Sequence, residues 1–197
     1  MNSNWRYPQP RPGMRGALDK FIGPGATPAE VWLAFGAALA AGVAAPTYAI
    51  VTDLGWNTLQ LALAALIAFD MLGGVVTNAT SAAKRWYHRP ELTFRDHFGF
   101  TALHLIHLFV VAWLFREGDW AFAIITSAYL LAAAAIILSV SLYLQRPVAL
   151  LLYALSILMA LYLLSPTPGL EWFLPLFYLK LLVSHLVREE PYRPATE

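Results

Sequence analysis

Residues 56–79 read WNTLQLALAALIAFDMLGGVVTNA. A single charged side chain, Asp70, interrupts a run long enough to cross the hydrocarbon core of a bilayer. That core is about 30 Å thick and a helix rises about 1.5 Å per residue, so about 20 apolar residues suffice. The run is too continuous for a membrane barrel strand, which alternates apolar and polar positions. A helix is the form that satisfies its own backbone in lipid.

Working outward, the same reading predicts an all-α polytopic membrane protein with six spanning helices. The expected spans are Pro28–Val51, Trp56–Ala79, Phe94–Phe115, Trp120–Tyr143, Pro147–Leu164 and Leu170–Val187. Residues 1–27 form a polar, Pro-rich N-terminal segment, residues 28–187 the membrane domain and residues 188–197 a polar tail. Composition agrees: 59% of the chain is hydrophobic and 13% charged, whereas soluble domains average about 25% charged. Thr27-Pro28-Ala29-Glu30 and Thr93-Phe94-Arg95-Asp96 read as capped helix starts. Ser165-Pro166-Thr167-Pro168-Gly169 reads as a chain break.

Orientation follows from the cations. Arg6, Arg11, Arg15, Lys20, Lys84, Arg85, Arg89, Arg95, Arg146, Arg188 and Arg193 fall on one predicted side; Arg116 alone falls on the other. The positive-inside rule then places both termini in the cytoplasm and the chain in the plasma (inner) membrane. A net charge of +1 offers no field for nucleic acid, so the expected partners are membrane lipids and a lipid-like or small-molecule substrate, with oligomers allowed. The absence of Cys removes thiolate ligands, disulfides and a Cys nucleophile.

Ionisable groups inside a bilayer cost about 2.5–3.5 kcal/mol each on insertion scales, which makes them candidate functional residues. Asp70 in the second span, His104 and His107 in the third and Lys180 in the sixth fall roughly 10–18 Å from the cytoplasmic boundary. Asp70, Gly73, Gly74, Thr77, Asn78 and Ser81 form one stripe, which His88 and Lys84 would extend. His97, Thr101, His104 and His107 form another.

These stripes raise the expectation of a cavity open to the cytoplasm. Asp70, His104 and His107 would hold a divalent metal, zinc or iron, with an open position for water. Asp70, His107 and His185 would then do the chemistry of a lipid hydrolase. Asn78, Lys84, Arg85, Arg89 and Lys180 would bind substrate, the cations through an anionic headgroup. An intramembrane Asp with several His resembles, in that combination alone, the alkaline ceramidase and progestin/adipoQ receptor group, which carries zinc on seven spans and hydrolyses lipid amides. Here Asp70 precedes the His pair and one span fewer is present, so the chain is placed in no family.

Three alternatives stand beside the hydrolase. Asp70 and the histidines could relay protons in a proton-coupled transporter. Asp70 and Lys180 could simply neutralise each other in a non-catalytic membrane subunit. A haem could be clamped between His104 and His185.

Overall fold

The computed structural model describes residues 8–189 and is helical throughout its ordered elements. Arg6, Arg193 and most of the expected C-terminal tail lie outside the described residues. The expected all-helical membrane architecture is present, and five helices are long and apolar enough to cross a bilayer.

The chain enters through α1 (Gly13–Ile22), a short helix inside the polar, Pro-rich N-terminal segment. Arg11 holds it closed, donating to Asp19 through Nη2 at 2.6 Å and through its backbone N–H at 2.8 Å. Next comes α2 (Pro28–Val51). The expected cap at its start forms: Thr27 Oγ1 accepts from the Glu30 N–H at 3.2 Å, and Glu30 Oε2 accepts from the Thr27 N–H at 2.8 Å. The other Glu30 oxygen accepts from the Ala82 N–H at 3.1 Å, tying this helix start to α4 (Ser81–Tyr87).

The second crossing, α3 (Thr58–Ala79), begins two residues later than expected, because Asn57 and Gln60 form a reciprocal cap of their own. The third is broken into α5 (Phe94–Leu103) and α6 (Leu105–Phe115) at His104. The fourth, α7 (Trp120–Ser139), stops short of its expected end at Tyr143. Helix α8 starts there instead and runs Leu142–Tyr162, so Arg146 and Pro147 lie within its first two turns.

The sixth expected span is the main correction. Only Phe173–His185 is helical, as α9 (Phe173–Tyr178) continued by π-helical winding over Leu179–His185. Thirteen residues rise about 20 Å, short of the hydrocarbon thickness. The stretch Leu170–Trp172, expected to be helical, forms a turn in which Leu170 is buried, Trp172 half-buried and Glu171 exposed. Phe173, Phe177, Tyr178, Leu181, Leu182 and Leu186 are each almost fully buried, so this segment is a central post and not a lipid-facing helix.

Hydrogen bonds sort the helix ends into two groups. At one end, Tyr87 Oη donates to the Phe21 carbonyl (2.8 Å), Lys84 Nζ to the Val187 carbonyl (2.6 Å), and Arg146 pairs with Glu189 (2.9 Å). At the other, Arg116 donates to the Ser165 carbonyl (2.8 Å) and to Thr167 (2.7 Å). Lys84 and Arg146 thus lie at one end of the bundle and Arg116 at the other.

Candidate functional site

Asp70 sits mid-way along α3 and is met there by two other helices. Lys180 Nζ donates to Asp70 Oδ2 at 2.6 Å, and His107 Nε2 stands 3.2 Å from the same oxygen. The Lys180 side chain is 3% exposed, that of Asp70 39%. Asp70 also opens on a cavity of about 20 Å³ lined by Phe21, Ala34, Ala38, Gly73 and Thr77, room for about one water molecule.

The two glycines of α3 have separate jobs. A Cβ on Gly73 would come within 2.7 Å of the Ala38 Cβ, so Gly73 lets α2 approach. A Cβ on Gly74 would overlap the Lys180 stem, at 2.8 Å from Cδ and 3.1 Å from Nζ. Gly74→Ala is therefore expected to push the ammonium off Asp70 while leaving α2 in place. A crosslink between α2 and α3 should form as before, while thermal stability drops by about 1–3 kcal/mol. An unchanged melting temperature would show that Lys180 has slack.

The π winding explains how one short segment serves two places. In an α-helix, residues five apart differ by about 140° around the axis. Closure from i to i+5, seen where the Leu186 N–H donates to the Leu181 carbonyl at 3.1 Å, brings such residues nearer one face. Lys180 then meets Asp70 on α3, and His185 meets Phe100 on α5 (ring centroids 4.1 Å apart).

The break at His104 has a comparable result. The His104 N–H donates to the Thr101 carbonyl at 3.1 Å and the His107 N–H to the His104 carbonyl at 3.0 Å, both three residues back. Such tightened turns eclipse side chains at i and i+3. The two imidazoles accordingly stack, 5.4 Å apart and 16° from parallel, and do not converge on a point. His104 Nδ1 lies 2.8 Å from the Phe100 carbonyl and His107 Nδ1 3.1 Å from the His104 carbonyl. A carbonyl only accepts, so both Nδ1 atoms carry hydrogen.

The expected site residues therefore divide. Asp70, His107 and Lys180 come together, with His104 stacked behind His107. His185 joins a second group at the basic end, 5.5 Å from His97 and 6.4 Å from His88, while His88 and His97 stack at 4.7 Å. Sequence spacing placed His97 and His88 on the two stripes, but not their meeting with His185. Among the described residues no three His, Asp or Glu side chains are grouped to hold a metal ion.

Of the residues expected to bind substrate, Lys180 lies on Asp70, and Lys84 and Arg89 also have partners within the chain. Lys84 is buried and donates to the Ser184 carbonyl (2.7 Å) as well as to Val187. Asn78 and Arg85 are buried too. Arg89 lies over the Trp86 ring, 3.9 Å from its centre, and donates to the Trp86 carbonyl. His88 Nε2 donates to the His185 carbonyl (2.9 Å). Burial, then neighbouring Lys84, pushes the His88 imidazole down to about 3, so it is neutral at physiological pH.

Comparison with family models, curated proteins and solved structures finds no match for the chain.

Proposed function

We propose that the protein is a proton-coupled membrane carrier whose exchange site is Asp70, His107 and Lys180. The observation that supports it is the double engagement of His107. Its Nδ1 must donate to the His104 carbonyl, and its Nε2 faces the Asp70 carboxylate. Neither partner donates when Asp70 is ionised, so the contact at 3.2 Å calls for one more proton than a neutral imidazole and a carboxylate supply. That proton sits on Nε2 or on Asp70, in a place where adding or removing it changes the charge facing Lys180. A site with one shared proton at mid-helix depth, beside a cavity, is the chemistry a proton-driven carrier needs.

A metal-dependent hydrolase would require Asp70, His104 and His107 around one ion. Here the Lys180 ammonium holds Asp70 Oδ2, and a cation at that place opposes a second cation beside it. Phe100 touches both His104 (4.6 Å) and His185 (4.1 Å), filling the place a haem between them would take. In this reading the end that carries Lys84 and Arg146 faces the cytoplasm across a plasma (inner) membrane, on the positive-inside rule.

The test is proton movement into proteoliposomes that hold a trapped pH dye, driven by a pH gradient and bathed in the dialysable solutes of a cell extract. Flux above that of empty vesicles is expected, reduced at least tenfold by Asp70→Asn and unaffected by Asp53→Asn at the far end of α2. Equal flux in the Asp70 variant would end the proposal.

A further inference from the structure

Helix α1 carries its large apolar side chains on the outside. At about 100° per residue, Met14, Leu18 and Phe21 fall within about 60° of arc. All three are exposed, at 92%, 37% and 54%. Gly16, Asp19 and Ile22 are buried, on the side turned to the bundle. Arg15 and Lys20 are exposed, and they leave the helix on either side of the apolar stripe, about 100° and 120° from its centre. A single exposed apolar residue needs no explanation, whereas a stripe of them with a cation on each flank does.

The helix is held at the level where a membrane surface lies. The α2 crossing starts at Pro28, a short turn after Ile22. Trp32, exposed near the start of α2, marks headgroup depth, because indole rings settle at the membrane–water interface. Tyr87 Oη donates to the carbonyls of Lys20 (3.1 Å) and Phe21 (2.8 Å), which fixes α1 to the end of α4. A Cβ on Gly23 would come within 2.4 Å of the Ala82 carbonyl, so the joint has no slack. With Arg11 closing the helix onto Asp19, the stripe is ordered before anything binds it.

We propose that α1 is a surface helix that binds anionic lipid. Met14, Leu18 and Phe21 enter the edge of the acyl layer, while Arg15 and Lys20 hold anionic headgroups. Such a surface meets both demands of this face, with apolar depth beneath the stripe and negative charge along its flanks. A second copy of the chain meets only the first. Two such faces in contact would bring the cations of both together, and the single acid of α1, Asp19, is buried and held by Arg11. The seat needs neither Asp70 nor His107, so it stands whether or not that site exchanges protons.

The chain has no Cys, so Met14→Cys takes one nitroxide label in place of an almost fully exposed side chain. Single full-length chains in lipid nanodiscs leave both membrane faces open to water. Collision of the label with oxygen, which concentrates in lipid, is compared with collision with a water-soluble nickel chelate. In phosphatidylcholine with about a third of anionic phosphatidylglycerol, oxygen contact is expected to exceed nickel contact. Nickel contact should rise at least about threefold in phosphatidylcholine alone, and as much in the anionic discs when Arg15→Gln and Lys20→Gln are combined. A label on Leu18→Cys repeats the measurement should the one at position 14 disturb the helix. Nickel contact that is equally high in both lipids would overturn the proposal, because α1 would then stand in water. Equally low nickel contact in both would overturn it too, since the cations would play no part. A label shielded from both reagents would show the stripe covered by protein, with the same consequence.

Discussion

Asp70→Asn is expected to lower the stability of the purified protein by about 3–5 kcal/mol, and Lys180→Met by clearly less. The asymmetry comes from where each charge sits. The Lys180 side chain is 3% exposed, and its stem is walled in by the Gly74 backbone. Without the carboxylate its ammonium keeps a neutral acceptor but loses its counter-charge while remaining buried. Asp70 is 39% exposed, borders a cavity with room for a water molecule, and keeps His107 at 3.2 Å when Lys180 is gone. Its loss of partner is therefore screened and shared, and about 1–2 kcal/mol is expected. Combining the two substitutions removes both charges and should restore most of the stability. Chemical unfolding in detergent of the four proteins at one pH measures this directly. Equal losses in the two single variants, or a double variant that simply adds them, would show that the two charges do not depend on each other.

Hydropathy made the first five crossings legible because their apolar runs are also the runs in which the backbone must close its own hydrogen bonds. Thr27 with Glu30 marked the start of α2 to the residue. The same measure misjudged Leu170–Val187, because it scores apolar content and not helicity. Leu170 is buried and Trp172 half-buried against the bundle, yet they lie in a turn. Helix α1 was missed because its ten residues lie among prolines and charges, and its closure depends on a tertiary-type clamp from Arg11 to Asp19. The meeting of Asp70 with Lys180 could be weighed from depth alone. The π winding that aims Lys180 and His185, and the tightened turn that stacks His104 on His107, are backbone departures that no residue in those segments announces. Gly74 was legible as a site of close approach, but only the structure shows that a lysine stem, and not a helix or a ligand, fills the space.

Between about pH 8 and pH 10.5 the unmodified protein should gain up to about 3 kcal/mol of stability relative to a Lys84→Met variant. Burial pushes the Lys84 ammonium down to about 8 from its ordinary 10.5, with Glu189 opposing the shift and Arg146 adding to it. Below pH 8 both folded and unfolded chains carry the proton, and the folded chain bears the full cost of a buried cation. Above pH 8 the folded chain has released the proton while the unfolded chain still binds it. Stability therefore rises with pH in that window and levels off once the unfolded lysine also loses its charge. Lys84 is kept despite this cost because its Nζ reaches the carbonyls of Ser184 and Val187, which end the π segment. A neutral amine still donates to them, so relief of the charge does not release the segment. Thermal unfolding of both proteins across the window gives the difference, and parallel curves would mean that Lys84 is better hydrated than its 4% exposure implies. Methionine at this position should also let the end of the π segment rewind toward an ordinary α-helix. That rotates His185 away from Phe100 and couples a surface-end lysine to the geometry at Asp70.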